Sequence, residues 1–186
     1  FPSGGARFRL PAVRGGARFR VPAAVDSVIL PVMLPQRKHP IHLPAGGRLD
    51  RPTIIFVTAC TAGRRPILAR TEVLPVILAA WQQADEWRVG RYVIMPDHVH
   101  LFCAPSSALS PPLEKWMQFW KSLVTRQWPW PAEKPIWQRD HWDRELRREE
   151  SYADKWEYVR LNPVRRGLVA PPDDWPYQGE VNTLRW

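Results

Sequence analysis

The run from Trp87 to Cys103 restricts the fold more than any other stretch of this chain. Trp87 to Met95 is β-branched and aromatic, Pro96-Asp97 is turn chemistry, and His98 to Ala104 alternates again. Proline fixes φ and aspartate can bond its own backbone, so the second strand returns beside the first. Within it, His98 and His100 are separated by one apolar residue. Residues i and i+2 of a strand share a face, so both imidazoles can reach one cation while Val99, Leu101 and Cys103 point the other way. On spacing alone, a half-exposed strand that carries two histidines is an equally good reading.

The segments around this hairpin have a readable order. Thr53 to Ala59 is a first strand, broken by Gly63-Arg64-Arg65-Pro66. Thr71 is placed to cap a helix running to about Asp85, with Val73, Leu74, Ile77, Leu78 and Trp81 at helical spacing. Ser110-Pro111 reads as a cap and N1 proline for a helix to about Gln127, with Leu113, Trp116, Trp120, Leu123 and Val124 inside. A Pro/Trp-rich connection leads to a fourth strand, Ile136 to about Arg144. Glu149-Glu150-Ser151 opens a last helix, with a capping-box pattern at Ser151 and Asp154 and a stop at Asn162-Pro163. The order β-α-β-β-α-β followed by α predicts an α+β fold, the ferredoxin-like split βαβ with an added C-terminal helix.

Length and charge bound the function. The 186 residues suit one domain with extensions, and 45% hydrophobic content suffices for a core. A net charge of +9 favours phosphate-bearing or acidic partners. Cys60 and Cys103 form no metal-ligand or disulfide pattern and read as reduced thiols, as expected of a cytoplasmic, nucleoid-associated protein. No stretch approaches the ~20 apolar residues of a membrane helix, so no membrane partner is expected. Residues 1–50 differ from the rest: Gly4 to Pro11 recurs as Gly15 to Pro22 with Val for Leu, and Pro31, Pro35, Pro40 and Pro44 come after the second copy. They read as a flexible basic extension, His39 and His42 included, with residues 51–170 as the catalytic domain and 171–186 as a tail. The chain begins at Phe1, and its first thirty residues show no signal-peptide h-region or cleavage site.

The last helix supplies candidate chemistry. Tyr152, Trp156 and Val159 form a narrow apolar stripe at about 100° per residue, and Tyr158 falls well off it. Tyr158 and Asn162 are i and i+4, so a phenol and an amide oxygen lie together on a polar face. A surface tyrosine beside a helix-terminal asparagine is the alternative.

Pro96-Asp97-His98-Val99-His100-Leu101, with Trp156-Glu157-Tyr158-Val159-Arg160-Leu161-Asn162-Pro163-Val164-Arg165-Arg166-Gly167-Leu168-Val169 later in the chain, resembles the single-tyrosine HUH transposases, in particular their REP-associated branch. The resemblance spans about Pro52 to Val169 and includes Trp137-Gln138-Arg139 and Asp143 to Arg147; it does not account for the first fifty residues. It implies that His98 and His100 are a metal pair, Asn162 a third ligand and Tyr158 the nucleophile, with Mg²⁺ or Mn²⁺ as the ion. The implied reaction nicks single-stranded, hairpin-bearing DNA and transfers strands through a 5′-phosphotyrosine. Chemically the set is coherent, because a phenol with a pKa near 10 is a weak nucleophile without help.

DNA binding would fall to the charge and the eleven tryptophans. The candidates are Lys115, Lys121, Arg126, Trp128, Trp130, Arg139, Trp142, Arg165 and Arg166, with Trp128, Trp130 and Trp142 expected at the surface. Most of the tryptophans should be core, and His141 and Asp97 read better as a satisfied histidine and a turn aspartate. A monomer or a homodimer fits equally. Two rivals remain: a domesticated binder of palindromic hairpins that does not cut, and a metal phosphoesterase that uses water in place of Tyr158.

Overall fold

A computed structural model describes residues 53–146 and 152–185. The Gly/Pro-rich extension and the Ser151 cap lie outside the described residues. Five strands form one antiparallel sheet: β1 (Ile55–Cys60), β2 (Trp87–Met95), β3 (His98–Pro105), β4 (Trp142–Glu145) and β5 (Gln178–Glu180), in the order β4-β1-β3-β2-β5. With helices α1 (Val73–Gln83) and α2 (Leu113–Arg126) as the crossovers, the first four strands make the expected split βαβ. β3, with the histidine pair, is the central strand.

Strand parity divides the molecule. Val57 and Ala59 of β1 and Val99, Leu101 and Cys103 of β3 face α1 and α2, where Ile77, Trp81, Trp116 and Trp120 close the core. Phe56, Phe102, Val93 and Met95 face the other way, toward α3 (Tyr152–Arg160) and the C-terminal segment, through Val159, Trp175 and Leu184. His98 and His100 belong to this second face, and the apolar stripe of Tyr152, Trp156 and Val159 packs on it as the helical spacing predicts.

Several boundaries differ from the sequence expectation. Thr71 does not cap α1: Val73 and Leu74 donate to the Arg70 carbonyl instead. Ser110 does not cap α2 either, because Pro112 holds an extended ψ of 143° and the helix begins only after it. The Ser110 hydroxyl donates to the Glu86 carbonyl instead. The fourth strand is two pieces. Trp137 bridges Thr61, and then Lys121 Nζ donates to the carbonyls of Gln138, Arg139 and Asp140, holding a loop out before pairing resumes at Trp142.

The segment expected to be a tail is part of the fold. β5 pairs with β2, Trp175 Nε1 donates to the Ile94 carbonyl, and Leu184 packs over Gly90. A Cβ at Gly90 would lie 2.7 Å from Leu184, so only glycine lets that side chain seat. Three residues of strand carry too little pattern to be seen without the edge they complete. Asn162-Pro163 also does not end the helical run. After a turn at Leu161, α4 (Asn162–Arg165) starts with Pro163 in its first turn, where the missing N–H is harmless. Among the described residues no helix is long and apolar enough to cross a membrane.

Candidate active site

The two histidines meet on the central strand. His98 Nε2 and His100 Nε2 are 3.0 Å apart, and each ring's other nitrogen is held from behind. His98 Nδ1 donates to Asp97 Oδ1 at 2.7 Å, and His100 Nδ1 lies 2.9 Å from Thr58 Oγ1, its cross-strand partner. The proton assigned to His98 Nδ1 by the carboxylate leaves its Nε2 lone pair bare. A hydroxyl donates or accepts, so Thr58 serves His100 in either tautomer. Phe56 stacks on the His100 ring at 5.4 Å.

Both imidazoles are kept neutral. Burial, with the charges of Arg64 and Arg166, lowers the His98 pKa against the raising effect of the Asp97 carboxylate. Burial and then His98, Lys155 and Arg64 push His100 down to about 3. Where His100 Nδ1–H donates to Thr58, two neutral Nε2 atoms 3.0 Å apart could share a divalent ion; in the other tautomer His100 Nε2–H donates to His98 Nε2. Asp97 is more than the turn residue its position beside Pro96 suggests: its carboxylate accepts from His98 Nδ1 and fixes that ring's orientation. Its own pKa is lowered: burial raises it, but the His98 hydrogen bond and the charges of His98, Arg64 and Arg166 together outweigh that.

Cations surround the pair. Arg64 Nε is 2.8 Å from Asp97 Oδ2, and Arg166 Nη1 is 3.5 Å from Asp97 Oδ1. Arg64 is delivered by a Gly63-Arg64 turn in which both residues have positive φ, 63° and 58°. A non-glycine residue pays strain to adopt that conformation. Lys155 Nζ, on α3, lies 5.0 Å from the Phe56 ring centre and 5.2 Å from that of Tyr158. Arg165 lies over the Tyr158 ring at 4.3 Å, donates to the Tyr158 carbonyl at 2.8 Å, and reaches Asn162 Oδ1 at 3.4 Å. Tyr158 itself is 55% exposed.

α3 and α4 thus stand on the same face of the sheet as His98 and His100, and Lys155 and Arg166 are the side chains that link Tyr158 and Asn162 to the histidine end. Arg64, Lys155 and Thr58 are not among the sequence candidates. Thr58 leaves a signal in its parity on the first strand and Lys155 in its place on the polar helix face it shares with Tyr158 and Asn162.

Other expected DNA contacts fare differently. Lys121 is buried in its carbonyl clamp, and burial lowers its pKa to about 8. Trp128 is core, with Nε1 donating to Glu133, and Trp130 is half-buried beneath Arg70. The causes are two: the 138–140 loop covers Lys121, and the Pro-rich connection is held against the Arg65–Arg70 segment. Lys115, Arg126 and Arg139 are exposed, Lys115 and Arg126 on the helix covering the far face. Trp142 is exposed, as expected. His141 approaches Asp143 at 3.6 Å. Among the described residues no group of three His, Cys, Asp or Glu side chains could hold a metal, so an ion here would need the amide of Asn162 or ligands from DNA and water.

No family model matches the chain. A Haemophilus influenzae protein named as a REP-associated tyrosine transposase is 31% identical over 45% of this chain and 53% of its own length. The REP-associated tyrosine transposase of Escherichia coli is 24% identical over 66% of this chain and 73% of its own. The chain is a relative of the REP-associated tyrosine transposases. It spans only about half the length of the Haemophilus protein. The solved structure of the REP-associated tyrosine transposase bound to a REP hairpin shares the fold, with a TM-score of 0.58 at 23% identity over 68% of this chain and 75% of that one. The two share the fold, and in this chain the histidine pair stands on the central strand of the sheet.

Proposed function

We propose that the protein nicks single-stranded DNA beside a hairpin and transfers the cut end through a 5′-phosphotyrosine on Tyr158. The observation that carries the proposal is the convergence of two neutral imidazoles, 3.0 Å apart and each backed by a second partner, on the sheet face covered by the tyrosine helix. His98, His100 and Asn162 would hold Mg²⁺ or Mn²⁺; the mixed nitrogen and oxygen donors suit Mn²⁺ at least as well as Mg²⁺. When bound, the ion would draw charge from a non-bridging oxygen of the scissile phosphate.

The chain's own residues do the remainder. Lys155, Arg165 and Arg166 supply positive charge beside Tyr158 and the histidines, where a phosphate would sit. Tyr158 Oη gives its proton to solvent and bonds to phosphorus as the bond to the 3′ oxygen breaks. The departing oxygen takes up a proton and becomes a free 3′-hydroxyl. A second 3′-hydroxyl reverses the exchange and joins strands without ATP, because the phosphodiester energy is kept on the tyrosine. A single nucleophile holds one DNA end at a time.

Hairpin-bearing DNA is proposed as the partner because the related solved protein holds a REP hairpin. The test is a labelled hairpin oligonucleotide with Mn²⁺, resolved on a denaturing gel. Wild type should give a covalent adduct and Tyr158→Phe none. Tight hairpin binding with no adduct under any divalent ion would favour a non-cutting binder. Cleavage that survives Tyr158→Phe without an adduct would assign the attack to water.

A further inference from the structure

Trp142 stands apart from the other aromatic residues. It is 41% exposed, the most exposed of the described tryptophans. It lies on β4, opposite Thr58, the residue that bonds His100. Its ring meets Phe56 edge-on at 5.6 Å, and Phe56 in turn stacks on His100. Trp142, Phe56 and His100 are thus an aromatic row across three strands, ending at the metal pair on one side and at the sheet edge on the other. Lys155 Nζ stands over the middle of this row. The outer side of β4 has no strand partner among the described residues.

We infer that Trp142 is the stacking platform for an unpaired base next to the scissile phosphate, an inference that rests on the nicking reaction proposed above. An exposed indole face suits a nucleobase of any sequence, and base–aromatic stacking on one residue changes affinity between about fivefold and a hundredfold. The nearby cations, Lys155 with Arg165 and Arg166 beyond it, match the backbone that such a base brings. Trp142 would set the register of the strand: with its base seated at the β4 edge, the adjoining phosphate falls toward the histidines. It is a positioning residue and takes no part in proton transfer. A tryptophan present only to cover Phe56 would be replaceable by leucine.

The test scans one abasic nucleotide through the cleaved strand of a hairpin oligonucleotide and measures the rate of adduct formation by the full chain with Mn²⁺. Wild type should lose between about fivefold and a hundredfold at one position beside the cut, and little elsewhere. Trp142→Leu and Trp142→Ala should lose the same factor on intact DNA and show no further penalty at that position. Trp142→Phe should keep most of the rate and the penalty. An unchanged abasic profile in Trp142→Leu, or wild-type rates from it, would overturn the inference and leave the nicking reaction standing. Absence of any wild-type adduct would remove both. Melting curves identify a variant that fails to fold; if Trp142→Ala fails, the leucine and phenylalanine variants decide.

Discussion

The two faces of the sheet use the same strands for opposite purposes. Behind it, α1 and α2 seal a core in which Trp116 and Trp120 are wholly buried and every indole packs on another ring. In front, α3 covers one half through Tyr152, Trp156 and Val159 and leaves the other half to His98, His100, Thr58 and Trp142. The back face is apolar, so its strength is packing. The front holds neutral imidazoles, a carboxylate and four cations within a few side chains of one another, and such groups favour a charged ligand more than they favour folding. A sheet sealed on one side can leave polar groups open on the other because the closed face supplies most of the apolar burial.

That contrast can be broken from either side. The largest effect belongs to Tyr158→Phe, which should abolish the covalent adduct, a loss of about a thousandfold or more, with the melting temperature unchanged because the hydroxyl is exposed. A drop in stability with the adduct intact would mean that α3 is a packing element and nothing else. Next, Trp116→Ala on the sealed face should cost about 3–5 kcal/mol in denaturant unfolding, since it empties a fully buried indole site.

Lys121 sharpens the comparison through pH. Its pKa falls from 10.5 to about 8 on folding, so the folded chain holds that proton less well than the unfolded one. Stability should therefore rise as pH climbs from about 8 to 10.5, by at most about 1.4 kcal/mol per unit. Lys121→Met should flatten that rise in melting curves taken across the window. A rise equal in both proteins would place the titration elsewhere. The smallest effect is expected from Asp97→Ala. Freed from the carboxylate, His98 should bind Mn²⁺ about ten- to a hundredfold more weakly, read by titration of the free ion without DNA. Equal affinity in the two proteins would show that Asp97 serves only Arg64 and Arg166.

Much of this design is legible in the residues. The His98–His100 alternation gives the face, Pro96-Asp97 gives the hairpin, and the off-stripe Tyr158 gives a polar helix side. Each of these depends on a period of two or 3.6 within one element. Lys121 and Trp128 mislead for the opposite reason. A helix lysine and a tryptophan in a Pro-rich connection look exposed until the 138–140 loop covers the one and the connection packs against Arg65 and Arg70 around the other. The fifth strand is invisible in the sequence because three residues of strand have no pattern of their own.

Local periodicity in the sequence thus determined the βαββαβ order, the shared face of the two histidines and the isolation of Tyr158 from its helix stripe. Tertiary structure decided what surrounds them. Asp97 became the meeting point of two guanidinium groups because Arg64, in a left-handed turn more than thirty residues upstream, and Arg166, beyond α3, both arrive at it. Thr58 and Phe56 reached His100, and Trp142 reached Phe56, only through strand register. Side chains far apart in the chain interact through space, and no spacing within one segment encodes that distance.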